Sequence, residues 1–295
     1  MSSITLDRGV FSGPVLAGRN GSLDESGHLR DDGRGSIHDD ATASRLGFRG
    51  GTVAGSIHMD QFPPVLVRAF GQEWFERGSL SLYFINATID LEKVQAFVED
   101  PAGGAGPVKA WMLRDDGTPV AEGTASMGGH SRDELQTRDL RATPTEGLRI
   151  LKGVEAGRSL GEHMARLDSA NQRARQAGGF INEPLDWYVG DSPWGGPVAS
   201  PNEVVALLYR QPAAALRVTA GPVVGLFGAI EVAHINGPVL LDKDYRVTAE
   251  VVAVGQSPKT EYFWFDSTAH DGDTEVASMR MLLRFMKASS PLYAE

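Results

Sequence analysis

Gly50-Gly-Thr-Val-Ala-Gly55 and Gly195-Gly-Pro-Val-Ala-Ser200 stand 145 residues apart, and each opens a segment built in the same order. Each turn leads into an apolar run at helical spacing. Phe62, Val65, Leu66, Ala69 and Phe70 share one face after the first turn, and Val204, Leu207 and Leu208 share one after the second. Ser200-Pro-Asn-Glu203 reads as a capping box with proline at the first helical position. Strand-like alternation follows each helix. In the first segment it runs through Leu80, Leu82 and Phe84, then Val108, Ala110 and Met112; in the second it runs through Tyr245 to Val251, Glu261 to Phe265, and Met279 to Phe285. Asp116-Gly117 and Asp271-Gly272 supply matching hairpin turns. A helix followed by antiparallel strands, carried twice, predicts an α+β protein of two tandem units. The expected boundaries are residues 1–130, a polar linker over 131–147 that crosses the surface, and residues 148–295.

Composition narrows the functions open to such a chain. The 295 residues are 41% hydrophobic and 22% charged, with a formal charge of −10, which argues against nucleic acid or an anionic membrane as partner. There are no cysteines, so disulfides, thiolate catalysis and Cys-ligated zinc are excluded. The histidines at 28, 38, 58, 130, 163, 234 and 270 show no metal-ligand spacing, and no metal or cofactor is expected. No segment has the apolar length of a signal peptide core or a membrane span, so the expected compartment is the cytoplasm.

The residues ahead of the first glycine turn carry the chemistry. Asp32-Gly-Arg-Gly-Ser-Ile-His38-Asp-Asp40 places acids and a histidine before a turn that feeds a helix N-terminus. His38 can titrate near neutrality and serve as a base. Asp32 can orient it or share its proton. The amides of Gly55 and Ser56 are suited to hold an oxyanion, because the first N–H groups of a helix have no internal acceptor. Glycine at 55 allows a substrate close approach to the backbone or serves helix–strand packing. His58, one turn into the helix, is either an additional acid–base group or a core histidine. Asp40 is expected to cap a short helix over 41–46. Pro63-Pro64 either starts the main helix or kinks it. Trp74, Phe75, Tyr83 and Phe84 are candidates for an apolar pocket or for the core. The second segment has no histidine before Gly195, so a single active site is expected, in the N-terminal unit.

His38, Asp40, Gly47-Phe48, Gly50 and the turn ending at Gly55 resemble the MaoC-like hot-dog proteins, and the (R)-specific enoyl-CoA hydratases among them. The second segment is similar to the degenerate repeat of double hot-dog members, through Arg158-Ser-Leu, Trp187-Tyr188, Gly196-Pro-Val-Ala and Gly237-Pro-Val. The resemblance implies a central helix wrapped by a sheet in each unit, paired as a pseudo-dimer with an acyl tunnel between them. It implies an Asp–His pair that activates water and a helix-start amide that polarises a thioester carbonyl. His38 and Gly55 fall on the family's positions. The position five residues before His38 is Gly33, with Asp32 one step further; counted back from Gly47, Asp32 lies at the usual distance and His38 is displaced by one. The function implied is a hydro-lyase acting on an α,β-unsaturated or β-hydroxy acyl thioester or related carbonyl compound, with a CoA thioester among the substrates and a homodimer among the assemblies the resemblance leaves open. Isomerisation, cyclisation, thioester hydrolysis and non-catalytic binding of a small apolar ligand are the alternatives.

Overall fold

The structure, a computed structural model, describes residues 9–20, 35–128, 134–140, 143–181 and 185–294. The first series of elements is β1 (Val10–Ala17), α1 (Asp40–Arg45), α2 (Gly55–Met59), α3 (Pro63–Phe70), α4 (Trp74–Arg77), β2 (Ser79–Phe84), β3 (Lys93–Glu99), β4 (Val108–Arg114) and β5 (Pro119–Ser126). After α5 (Glu134–Thr137) come β6 (Ser159–Arg166), α6 (Ser169–Ala177), α7 (Pro201–Ala220), β7 (Gly225–His234), β8 (Asp244–Gln256), β9 (Thr260–Asp271) and β10 (Thr274–Met286). Both expected hairpin turns form, with Gly117 at φ 80° and Gly272 at φ 59°, a region open to glycine at little cost.

Among the described residues the strands form one antiparallel sheet in the order β1-β3-β4-β5-β2-β7-β10-β9-β8-β6. The order is mirrored about its centre, where β2 pairs with β7 and Ser79 stands opposite Ala233. One face buries Leu80, Leu82, Ile230 and Val232 against the helices. The fold is thus the double hot-dog fold, one sheet wrapped around helices from both series.

The two series superpose in their hydrogen bonds as well as in their order. Val53 N donates to Thr88 O at 2.9 Å, and Ala199 N donates to Val239 O at 2.8 Å. Isolated bridges join Thr52 to Ile89 and Val198 to Leu240. Leu91 N donates to Gly18 O, and Asp242 N donates to Leu167 O; Leu91 and Asp242 share a φ of 59°. These pairs place Thr52 on Val198, Ala54 on Ser200 and Gly55 on Pro201. The sequence echo matched Gly50 to Gly195 and Gly55 to Ser200, which is one residue out of register with this ladder.

The helices differ between the halves. A proline lacks an N–H and is best placed in the first turn of a helix, although α7 also carries Pro212 within its length. At Pro63-Pro64 the chain therefore starts a new helix, α3, behind the separate turn α2, whereas α7 runs from Pro201 to Ala220. The expected capping box at Ser200 is not built. Glu203 turns to Arg175 instead, and the Asn202 amide is held by Asp60 of the other half at 2.7 Å.

The stretch expected to cross the surface as a linker does more than that. Leu135 on α5 is fully buried on the outer face of the sheet against Ala229, Ala253, Trp264 and Leu282. Its N–H donates to Glu231 Oε2 at 2.9 Å, and its carbonyl accepts from Arg280 Nη1 at 3.1 Å.

Candidate active site

A cavity of about 960 Å³ opens between the halves. His38, Thr52, Gly55, His58, Phe84 and Thr88 line it from the first half. Tyr209 on α7, the start of β7 and the end of β10 close it from the second, presenting Phe227, Leu283 and Phe285. Polar side chains, among them His38, Thr52, His58 and Thr88, gather at the first-half end, and Arg284 and Ser289 add polar groups among the apolar side chains of the second; such mixed linings are common at small-molecule sites.

The loop carrying His38 is fixed at both ends of the residue. Thr52 N donates to Ile37 O at 3.0 Å, and His38 Nδ1 donates back to Thr52 O at 2.6 Å. A carbonyl can only accept, so Nδ1 carries the proton, and in the neutral ring Nε2 is the basic nitrogen. Asn20 Nδ2 donates to His38 O at 2.7 Å. Gly51 is glycine because a Cβ there would collide with the His38 carbonyl. The cap expected of Asp40 falls to its neighbour. Asp39 caps α1 by accepting from Thr42 N at 3.1 Å, and Asp40 holds the Gly51 amide at 2.7 Å. Asp40 thus shapes the glycine turn instead of ending the helix.

Gly55 opens α2, and its lack of a side chain answers to Phe84. A Cβ at 55 would lie 2.6 Å from the Phe84 ring, which itself lines the cavity. The packing reading of this glycine therefore has a named cause. Ser56, next along the helix, is buried. His58 reaches the cavity wall but is bonded at both nitrogens. Nδ1 donates to Gln61 Oε1 at 3.1 Å, and Nε2 accepts from Thr88 Oγ1 at 2.7 Å. Burial pushes its pKa down to about 4, so the ring is neutral near pH 7. Asp32 lies outside the described residues.

The corresponding place in the second half differs at each reactive position. Val198 N donates to Trp187 O at 2.8 Å, as Thr52 does to Ile37, which puts Tyr188 where His38 stands. Gln172 Nε2 donates to the Tyr188 and Val198 carbonyls at 2.8 and 2.9 Å, replacing the bonds made by Asn20 and His38. Pro201 replaces Gly55 and has no N–H to offer. Helix α4 precedes β2 and has no counterpart before β7. It drives Phe75 against Trp187, Tyr188 and Trp194, with ring centroids 5.9, 6.4 and 6.1 Å apart, and Trp74 against His234 at 5.2 Å. Of the four candidate pocket aromatics, Phe84 faces the cavity, Trp74 and Phe75 plug the second half, and Tyr83 lies outside on Trp264. Sequence reasoning missed Thr52, Thr88 and Tyr188, because only the cross-strand ladder aligns them.

Solved structures place this fold among known proteins. A MaoC-like dehydratase matches with a TM-score of 0.52 at 12% identity, over 94% of this chain and 98% of its own. A conserved hypothetical protein of Mycobacterium tuberculosis with a double hot-dog fold matches with a TM-score of 0.50 at 14% identity, over 95% and 97%. The dehydratase domain of PpsC from the same organism, in complex with C12:1-CoA, matches with a TM-score of 0.41 at 12% identity, over 80% and 85%. No protein-family model matches the sequence, and neither does any curated protein. Among the described residues no helix is long and apolar enough to cross a membrane.

Proposed function

We propose that the protein is a hydro-lyase that adds water to an α,β-unsaturated acyl thioester, or removes it from the β-hydroxy product. The observation that carries this reading is the placement of His38 and Gly55 on one cavity wall, with His38 Nδ1 tied to the Thr52 carbonyl and Gly55 opening a helix. His38 Nε2 takes a proton from water as the water oxygen bonds to the β-carbon. The double-bond electrons move onto the thioester oxygen, which the Gly55 and Ser56 amides receive. The enolate then collapses, and its α-carbon takes a proton from the His38 imidazolium or from Asp32. His58, neutral and bonded to Thr88, shapes the wall. A CoA thioester is the expected handle, and the apolar side chains of Phe227, Leu283 and Phe285 suit the acyl chain.

Thioester hydrolysis is the second reading. It needs a water-activating base and a carbonyl donor, both within the described residues, but no acid for the α-carbon. One experiment separates the two. The enzyme is incubated with trans-enoyl-CoA thioesters of increasing chain length, following loss of the conjugated absorbance and release of free thiol. Hydration by the wild type, falling roughly a hundredfold or more in His38→Ala, is expected. Thiol release without hydration selects the hydrolase. Neither product from any thioester, or a His38→Ala variant of undiminished rate, overturns the hydro-lyase.

A further inference from the structure

Behind the helix start that opens on the cavity lies a buried polar cluster contributed by both halves. Asp60, at the end of α2, accepts from Asn202 N at 2.7 Å and from Arg175 Nη2 at 3.4 Å. Arg175, on α6, also pairs with Glu203 at 3.1 Å. All but Arg175 are buried, and its side chain is only 17% exposed. The Asn202 side-chain amide is assigned with its nitrogen donating to Ser56 Oγ at 2.8 Å and its oxygen accepting from Arg175 Nη2 at 3.2 Å. Ser56 and Asn202 occupy matching places in the two halves, so this contact sits on the pseudo-twofold axis. Ser56 and Asp60, four residues apart, share one side of the turn. The second half therefore grips α2 at both ends: Asn202 at Ser56, Arg175 and the Asn202 amide at Asp60.

The placement suggests why the half without the reactive residues keeps these polar groups. Buried ion pairs seldom add net stability over apolar packing, yet leaving one partner uncompensated costs several kcal/mol. What such a cluster supplies is a fixed geometry. The turn it fixes is short: Ile57, His58 and Met59 anchor its body in the core, but α2 is one turn long and Pro63-Pro64 start a separate helix behind it, so the cluster at Ser56 and Asp60 holds its two ends.

We propose that Asn202 and Arg175 are positioning residues, which hold the Gly55–Ser56 turn where the substrate carbonyl must meet its amides. This rests on the reading that those amides receive a thioester carbonyl. The residues touch no substrate, and they act through Ser56 and Asp60.

The test uses the full chain and the enoyl-CoA that the wild type hydrates fastest. Asn202→Ala removes the grip on Ser56 and the amide contact to Arg175, while Asp60 and Glu203 remain beside the guanidinium. It is expected to lower kcat about tenfold with KM little changed, since a small misplacement of reacting groups is costly. Arg175→Met is expected to fall further, and Arg175→Lys to recover part of the loss. His38→Ala is measured alongside, because its rate reports on the parent reading and not on this one. Hydrogen exchange of peptides covering 52–62 decides the matter independently of turnover. Faster exchange there in Asn202→Ala and Arg175→Lys, with β9 and β10 unchanged, supports the proposal even if no thioester is hydrated. Unchanged exchange over 52–62, or a wild-type kcat in Asn202→Ala when His38→Ala is inactive, overturns it.

Discussion

Tyr188 stands in the second half where His38 stands in the first, each following a carbonyl that accepts the N–H of the residue matched across the repeat: Ile37 from Thr52, Trp187 from Val198. One carries a base to the cavity wall. The other is fully buried beneath Phe75, and its hydroxyl has no partner among the described residues. A buried unpaired hydroxyl contributes nothing that a hydrogen would not, so Tyr188→Phe is expected to leave stability unchanged or raise it by about 1 kcal/mol. Turnover should remain within about twofold of wild type, because the unpaired hydroxyl makes no bond that positions a reacting group and the phenyl ring keeps its packing. Tyr188→His should create no second activity, since Pro201 supplies no amide. Calorimetric titration with a saturated acyl-CoA checks the point through its stoichiometry: one ligand per chain is expected, and two would mean that the second half also binds.

Gly55→Ala separates packing from function. In a helix, alanine gains about 1 kcal/mol over glycine. Here its Cβ would meet the Phe84 ring at 2.6 Å, and the ring end must yield. The ring's open side is the cavity, so the displacement falls on the ligand's space and less on the core. The expected outcome is a melting temperature moved by only a few degrees and acyl-CoA affinity reduced at least about tenfold, the ordinary cost of overpacking a site. Phe84→Leu in the same chain should restore much of the affinity. Titration and thermal unfolding of the single and double variants check both halves of the claim.

How much of this was legible in advance follows from the range of the forces involved. The hairpins at Gly117 and Gly272 and the helix starts at Pro63 and Pro201 answer to local backbone demands, and the sequence displays those directly. The repeat was visible in its order, yet its register slipped by one residue, because register is set by bonds such as Val53 to Thr88 and Ala199 to Val239 that join distant segments. His38 stands out as a candidate through its motif, whereas the Thr52 carbonyl that fixes its tautomer does not. The cap expected of Asp40 fell to Asp39 for a similar reason: neighbouring acids look alike until the loop places one over Thr42 and the other over Gly51. The Arg175–Asp60 pair spans 115 residues and leaves no local trace.

Asp60 should make stability depend on pH in the direction opposite to an ordinary carboxylate. Burial raises its pKa from 3.8 to about 7, against the lowering influence of Arg175 and the Asn202 amide. The folded state thus holds a proton that the unfolded chain releases between those values. The Asp60 contribution is fully present below pH 3.8 and is lost as pH rises through about 7. Asp60→Asn keeps a neutral group at the position and lacks that slope. Relative to wild type, the variant should gain stability between about pH 4 and 7, by at most ~1.4 kcal/mol per pH unit. Urea unfolding of both chains across that range checks it; a difference that does not change with pH would show Asp60 ionised throughout.

His234 should act in the contrary sense. It is buried against Trp74 and Phe75, with ring centroids 5.2 and 5.8 Å away, and its Nδ1 has no partner among the described residues. Burial lowers its pKa from 6.5 to about 4. The unfolded chain therefore takes up a proton first as pH falls. The neutral histidine's contribution is whole above pH 6.5 and drains away toward about 4. Phenylalanine has nearly the shape of the imidazole and no proton to gain, and it can keep the edge contacts with both rings. His234→Phe should match wild type near neutrality within about 1 kcal/mol, as volume-conserving swaps do. Below pH 6.5 it should become progressively the more stable chain, by at most ~1.4 kcal/mol per pH unit. His58 shares the lowered pKa, so the His234→Phe variant retains an acid-sensitive slope of its own. Because the Asp60 slope opposes both histidines over the same interval, the three are resolved by measuring His234→Phe and Asp60→Asn singly and together. Their effects should add, since the two sites share no partner. Coupling between them beyond about 0.5 kcal/mol would mean that the plugged half and the helix bridge respond as one unit.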